Sequence, residues 1–179
     1  MPSTGLGRRA CRRTRTLALS LLLAVVLATA SASVPGVADA SARIDAVERR
    51  IIRLINDERA KLGLRRLRPV WSLARAADFH SRNMLLGRFF AHASRNGTPA
   101  ARRVGRFRRA RSFGETLAYV SDVGLRAQAS YVVRLWMASP GHRAVLLTPR
   151  FRRIGIGRRT GMLPTGPGTV FTADLQSRR

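Results

Sequence analysis

Three side chains that could share one chemical task are spread over the middle of the sequence: His92, Glu115 and His142. Imidazole nitrogen and carboxylate oxygen suit zinc, and three protein ligands leave a coordination position open for water. His92 precedes an Asn-Gly turn signal, Glu115 lies in an alternating segment, and His142 directly follows Ser-Pro-Gly. Loops and element ends commonly carry binding groups. These residue types could therefore form an open site for zinc or another divalent cation.

Other interpretations of the same residues stay open. The two histidines can be half-buried structural residues that bond to backbone or to Glu115. Glu115 itself can ligate a metal, or it can accept an N–H from a histidine and fix its tautomer. A serine hydrolase is a further alternative because Ser94 and Ser139 lie near the histidines in sequence. Neither serine belongs to a nucleophile-elbow pattern, and Ser139 is also suited to cap a short helix.

The elements that must position these residues are predicted from hydrophobic periodicity. Apolar residues at helical spacing predict three helices, over 41–63, 72–86 and 124–138. A short helix with 144–147 buried should follow Pro140. His80 falls on the apolar stripe of the second helix, which favours a core histidine over a ligand.

Alternation of apolar and polar residues predicts three strands. They lie in 112–120, around "FRRIGIG" and in "TVFTADL". We expect a Gly/Pro-rich loop over 158–168 and irregular structure over 88–111. Helices early and strands late predict an α+β domain in which helices cover an antiparallel sheet.

The first 40 residues have the features of a secretory signal peptide. Arginines precede an uncharged stretch, 17–30, and Ala38-Asp39-Ala40 matches a cleavage pattern, with rival patterns at 28–30 and 30–32. The stretch is shorter than the roughly 20 residues that span a bilayer, which favours cleavage over a retained anchor. We predict a signal peptide at 1–40, by the Sec or the twin-arginine route, and a secreted, extracytoplasmic domain at 41–179 with no transmembrane segment.

The predicted exported domain is strongly basic and has no cysteine. Cys11 is the only cysteine, so no disulfide would stabilise residues 41–179. Removing five arginines and Asp39 from the chain's 34 basic and 9 acidic residues leaves 29 basic and 8 acidic residues, a net charge of +21. Such a field favours anionic partners, here an anionic cell-envelope polymer or lipid. A GC-rich genome, which raises the arginine content of protein surfaces, can produce the same basic surface without a partner.

A basic run between His92 and Glu115 is the candidate anion-binding segment. Arg102, Arg103 and Arg106 could flank the cleft and match phosphate with their guanidinium forks. A solvated helix or loop face is the alternative. Phe107 is the only aromatic residue in the run, and stacking platforms for single-stranded nucleic acid need several. Nucleic acid is therefore disfavoured, and we expect a monomer.

Four stretches in order resemble one family. They are "INDERAKLGL", "FFAHASRNGT", "FGET" and "VVRLWMASPGHRAVLLTPRFRRIGIG". In order and spacing they resemble the CAP superfamily, which comprises cysteine-rich secretory proteins, antigen 5 and pathogenesis-related proteins, in its secreted bacterial branch. The resemblance covers residues 44–176.

The resemblance implies a fold and a site. It implies a three-layer α-β-α sandwich around an antiparallel central sheet, with a cavity where two histidines and up to two glutamates can hold a divalent cation. His92 and His142 match the histidines, and Glu115 matches the first glutamate. Tyr131 stands at the second glutamate position and, with Ser139, is predicted to line the cleft. Ligand binding at that cleft, a metal-assisted or Ser-His-Glu hydrolase, and a basic adhesion module remain as alternative functions.

Overall fold

The computed structural model describes residues 45–178. The predicted signal peptide lies outside the described residues, so that boundary stays a prediction. The elements, in chain order, are α1 (Ala46–Lys61), β1 (Arg68–Pro69), α2 (Trp71–Gly87), α3 (Ala100–Gly105), β2 (Phe113–Val120), α4 (Leu125–Ala138), α5 (Pro140–Leu146), β3 (Phe151–Leu163) and β4 (Gly166–Ser177). Within 45–178, no helix has the length and apolar character needed to cross a bilayer.

Helix α1 starts at a capping box. The Glu48 backbone N–H donates to Asp45 Oδ1 at 2.8 Å, and the Asp45 N–H donates to Glu48 Oε2 at 3.0 Å. The helix buries Ile51 and Ile55 on its apolar stripe and ends before Gly63, whose φ of 65° suits glycine. The predicted helix over 41–63 therefore exists, and its described part begins at Ala46.

Helices cover both faces of a four-stranded sheet with strand order β1-β3-β4-β2. On one face α1 and α4 pack with Ile156, Phe171 and Ala173 around the buried Trp136. On the other face α2 packs against β2, β3 and β4, and α3 lies beside it. This arrangement confirms the predicted α+β class and the three-layer sandwich.

The prediction of a purely antiparallel sheet is wrong in one detail. β2, β3 and β4 pair antiparallel, but β1 pairs parallel with β3 through Arg68 and Pro69 at the sheet edge. The sheet is therefore mixed. A strand of two residues is too short to produce a detectable alternation, so no pattern in the sequence indicated it.

Two connecting segments are more regular than expected. The predicted loop over 158–168 is the end of a long β3–β4 hairpin, in which Leu163 pairs with Gly166 and only two residues form the turn. The segment 88–111, expected to be irregular, contains α3. In both places backbone pairing or tertiary packing outweighs the local Gly/Pro and arginine content. The short helix after Pro140 is confirmed, but of 144–147 only Leu146 is fully buried.

The alternation "IGIG" in β3 explains how closely α2 lies on the sheet. Ile154 and Ile156 enter the core with α1 and α4, whereas Gly155 and Gly157 face α2. A Cβ on Gly157 would lie 2.1 Å from the backbone nitrogen of Asp78, and one on Gly155 would lie 2.1 Å from that of Ala74. The helix backbone therefore rests directly on the strand, at a distance only glycine permits.

Gly157→Ala should consequently destabilise the protein. The new methyl group meets helix backbone, which cannot rotate away as a side chain could, so we expect a loss of about 1–3 kcal/mol in the free energy of unfolding. Gly105→Ala is the matched control because a Cβ there meets nothing within 4 Å. Urea denaturation of both variants checks this, and equal stabilities would contradict it.

Candidate functional site

The carboxylate of Glu115 lies at the centre of the predicted site. It projects from β2 and is 7% exposed. Its Oε1 lies 2.9 Å from His92 Nδ1, and its Oε2 accepts a hydrogen bond from the guanidinium of Arg103 on α3. Arg103 also donates to the backbone carbonyl of His92 at 2.8 Å. One buried carboxylate and one buried guanidinium thus fix the loop that carries His92.

These contacts set the protonation and orientation of His92. Burial alone would raise the pKa of Glu115. The His92 hydrogen bond and the Arg103 charge act in the opposite direction and together outweigh burial, so the pKa is lowered. The hydrogen bond to Glu115 raises the pKa of His92. With Nδ1–H donating to the carboxylate, Nε2 is the ring nitrogen left for a ligand. The side chain is 56% exposed, so that nitrogen is accessible from solvent.

His142 reaches the same neighbourhood from another element. It is the third residue of α5, whose first turn starts with Pro140, and α5 packs against β2. Burial lowers the pKa of His142, and the charge of His92 lowers it further. The structure therefore brings His92 and Glu115 into contact. The place of His142 in a shared site stays a prediction.

Asp174 is a member of this cluster that sequence reasoning missed. It is fully buried on β4, directly opposite Glu115 in the sheet register, so both side chains project from the same face. Within the described residues neither of its carboxylate oxygens has a hydrogen-bond partner. Burial, followed by the Glu115 charge, raises its pKa well above the usual range. The alternation in "TVFTADL" puts Asp174 on the sheet face opposite to Phe171 and Ala173. That pattern was the one sequence signal that could have placed Asp174 with Glu115.

His80 lies beneath the site as a core residue. It is fully buried on α2, and its Nε2–H donates to the carbonyl of Ala91 at 2.9 Å. Burial lowers its pKa, and the charge of Arg103 lowers it further, which favours the neutral ring. The expectation of a core histidine agrees with this position. By holding Ala91, His80 also fixes the backbone next to His92.

The remaining predicted residues have separate surroundings. Arg102 and Arg106 are exposed at α3, whereas Arg103 is 2% exposed and paired with Glu115. Tyr131 is 37% exposed on α4, and the guanidinium carbon of Arg134 lies 5.7 Å from its ring centroid. Ser139 occupies the N-cap position of α5 without a side-chain cap hydrogen bond. Anion binding by the α3 arginines and the lining roles of Tyr131 and Ser139 stay predictions.

The donor set suits Glu115 as an orienting group better than as a metal ligand. Both of its oxygens are already engaged, one by His92 and one by Arg103. In residues 45–178 no three His, Cys, Asp or Glu side chains are grouped as a metal site. Glu115 therefore orients His92 and leaves its Nε2 available, and the metal site itself stays a prediction.

Comparison with known proteins places the chain in a family. Residues 52–163 match the CAP family, described as the cysteine-rich secretory protein family. The uncharacterized protein YkwD of Bacillus subtilis (strain 168) is 32% identical over 121 residues, which are 66% of this chain and 44% of that protein. The chain therefore spans less than half the length of this relative. The protein belongs to the CAP family.

Solved structures share the fold. An outer surface protein of Borrelia burgdorferi superposes with a TM-score of 0.60 at 21% identity, over 74% of this chain and 93% of that one. An extracellular protein containing a SCP domain from Bacillus anthracis str. Ames gives a TM-score of 0.58 at 25% identity, over 73% and 40% of the two chains. Both agree with the α-β-α arrangement described above.

Removing the guanidinium at position 103 should destabilise the protein far more than removing its neighbour. Arg103→Met leaves the Glu115 carboxylate buried without its cationic partner, a change that typically costs about 3–5 kcal/mol. Arg102→Met on the same helix removes the same charge from an exposed side chain, and we expect a change within about 0.5 kcal/mol. Guanidinium-chloride unfolding distinguishes the two; similar losses would contradict the structural role of Arg103.

Asp174→Asn should change how stability depends on pH. Burial raises the pKa of Asp174 in the folded protein. Below about pH 3.9 the folded and unfolded chains both hold this proton, so the raised pKa does not reduce the free energy of unfolding there. The reduction grows as pH rises through that value. The variant should therefore gain stability relative to the wild type between about pH 3 and pH 7. Asp57→Asn, at an exposed position of α1, controls for net charge; a pH-independent difference for Asp174→Asn would contradict the prediction.

Proposed function

We propose that the protein is a secreted, extracytoplasmic ligand-binding member of the CAP family that uses the cleft around His92, Glu115 and His142. The observation that carries this proposal is the Glu115–His92 hydrogen bond, which holds a solvent-exposed imidazole in one orientation. A binding group held by a buried network is preorganised, which reduces the entropic cost of taking a ligand.

His92 and His142 supply two nitrogen ligands for a divalent cation such as zinc. Two imidazoles with water completing the coordination form a weak, exchangeable site, because structural zinc sites have four protein ligands. The adjacent Arg103 cation reduces the attraction further. The cation would supply a Lewis-acidic contact for a ligand oxygen, while Glu115 keeps Nδ1 of His92 protonated and Nε2 available.

An anionic or lipid-type component of the cell envelope is the ligand class that suits this surface. Residues 45–178 are strongly basic; Arg102 is exposed on α3 and Arg106 is exposed at its C-cap. Export is supported by the predicted signal peptide and by structural relatives described as an outer surface protein and an extracellular protein. The basic surface and the predicted export both support a location outside the cytoplasm, next to the cell envelope.

The hydrolase alternative has less support. A serine nucleophile needs a hydrogen bond to its general base, and in the described chain neither Ser94 nor Ser139 bonds to a histidine through its side chain. The backbone of Ser94 bonds to Thr98 within the turn, and Ser139 joins α4 to α5. Ligand binding is therefore the function that the arrangement favours.

Zinc titration of the full chain by isothermal calorimetry tests the cleft. His92→Ala and His142→Ala should each abolish saturable binding, and Glu115→Gln should weaken it by about 10- to 100-fold because the orienting carboxylate is lost. Tyr131→Glu restores a carboxylate at the second glutamate position of the family and should tighten binding.

Ser139→Ala is the control for this titration, because it removes a side chain near His142 in sequence without removing a nitrogen ligand. It should bind zinc as the wild type does. If both histidine variants bind zinc like the wild type, the metal-site proposal is wrong. Turnover of a peptide or ester that Ser139→Ala abolishes would instead support the hydrolase.

A further inference from the structure

A large cavity lies apart from the predicted site residues. Its volume is about 1080 Å³, just above the range of about 300–1,000 Å³ typical of small-molecule sites. It is formed by α1, the segment between α1 and β1, the edge strand β1, the start of β3 and Arg178. Neither His92, Glu115 nor His142 lines it. We name it the β1-edge pocket.

The lining of the β1-edge pocket is dominated by arginine. Eight of its thirteen residues are arginines and none is acidic: Arg49, Arg53, Arg65, Arg66, Arg68, Arg152, Arg153 and Arg178. A concave wall with one sign of charge concentrates its field and draws in counter-ions. The chemistry of the pocket is therefore anion recognition.

Four of these guanidinium groups are available to a ligand. Arg53, Arg65, Arg66 and Arg68 are exposed, and within residues 45–178 their side chains form no hydrogen bond or ion pair. Three of the described carboxylates pair with cations outside the pocket: Glu58 with Lys61, Asp45 with Arg158 and Asp78 with Arg159. The charges of Arg53, Arg65, Arg66 and Arg68 are therefore not neutralised by an ion pair within residues 45–178.

The backbone that carries these arginines is held rigidly from below. The Asn56 side chain donates to the Leu67 carbonyl at 3.1 Å and accepts from the Leu67 N–H at 2.7 Å, which locks the segment before β1. The fully buried Arg59 donates to the carbonyls of Arg65 and Phe151, at 3.0 and 3.3 Å. Hydrogen bonds therefore tie two segments of the pocket wall to α1, namely the segment before β1 and the start of β3.

Arg59 also adds to the positive field. It is satisfied by carbonyl oxygens, including that of Leu146 at 2.6 Å, and no described carboxylate pairs with it. Burial lowers its pKa, and the charge of Arg152, which lines the pocket, lowers it further. An anion in front of them relieves this repulsion.

We propose that the β1-edge pocket binds a linear polyanion with repeated phosphate groups and no bases. Guanidinium forks match phosphate in a bidentate way, and several of them in one wall match a chain of phosphates better than a single one. Ile52, Leu67, Pro69 and Val70 supply an apolar floor for the linking groups. No aromatic residue lines the pocket, so it offers no platform for stacked bases.

The test compares two triple variants of the full chain that lose the same charge. Arg65→Ser/Arg66→Ser/Arg68→Ser removes three arginines that line the pocket, and the control Arg75→Ser/Arg82→Ser/Arg126→Ser removes three exposed arginines from α2 and α4, outside the pocket. The probe is fluorescent inorganic polyphosphate, followed by anisotropy at several salt concentrations. We expect the pocket variant to bind about 10- to 100-fold more weakly and the control to bind nearly as the wild type does.

Salt dependence and a lysine variant sharpen the result. Each phosphate contact contributes roughly 0.7 to the slope of log Kd against log salt for a single-stranded polyanion. Losing three contacts should therefore reduce that slope by about 2. Arg65→Lys/Arg66→Lys/Arg68→Lys keeps the charge and loses the forks, so its affinity should fall between wild type and the serine variant. Unchanged circular dichroism and thermal midpoint confirm that each variant is folded.

Four outcomes overturn the proposal. The first is loss of binding in the Arg75/Arg82/Arg126 variant but not in the pocket variant, which would assign polyphosphate binding to arginines outside the pocket. The second is wild-type affinity of the lysine variant, which would make the pocket a charge patch without phosphate recognition. The third is that oligodeoxythymidine binds more tightly than polyphosphate and loses this binding in the pocket variant. The fourth is that anionic phospholipid vesicles do the same. The zinc titration at His92 and His142 is independent of all four.

Discussion

The buried carboxylate of Glu115 is the group on which the site's construction depends. It comes from the middle layer of the sandwich, and its partners come from the loop after α2 and from α3. Burying a charge costs several kcal/mol unless it is paired and hydrogen-bonded. Arg103 and His92 provide that compensation, so the position of α3 and the direction of the His92 ring follow from the need to stabilise one anion in the sheet.

The same constraint explains why the pKa of Asp174 is raised. It faces Glu115 across two paired strands, and one interior site cannot easily hold two negative charges. Against the effect of burial, the His92 hydrogen bond and the Arg103 charge lower the pKa of Glu115, whereas burial and the charge of Glu115 raise the pKa of Asp174. Because Glu115 bonds to both His92 and Arg103, its protonation at low pH would weaken both contacts.

How far sequence alone could reach depends on whether a feature is periodic or tertiary. The stripes of α1, α2 and α4 repeat over several turns, and the histidine–glutamate pairing followed from a specific motif order. Arg103 could not be distinguished from Arg102 and Arg106, because all three belong to one basic run and only packing decides which of them turns inward. The β3–β4 hairpin was hidden because its glycines and prolines resemble loop composition, while the ladder that orders them is long-range.

The distribution of charge gives the two candidate sites opposite preferences. Most acidic side chains of the described chain serve the structure: they cap α1, bridge α1 and α2 to β3, or lie with Arg103 under the cleft. Few are left to oppose the arginines. A cation at His92 and His142 must therefore bind against the surrounding field, with nitrogen ligands alone, whereas an anion at the β1-edge pocket binds with it. The charge distribution therefore favours anion binding at the proposed β1-edge pocket over cation binding at the two histidines, and buried hydrogen bonds from Arg59 and Asn56 hold the backbone of that pocket.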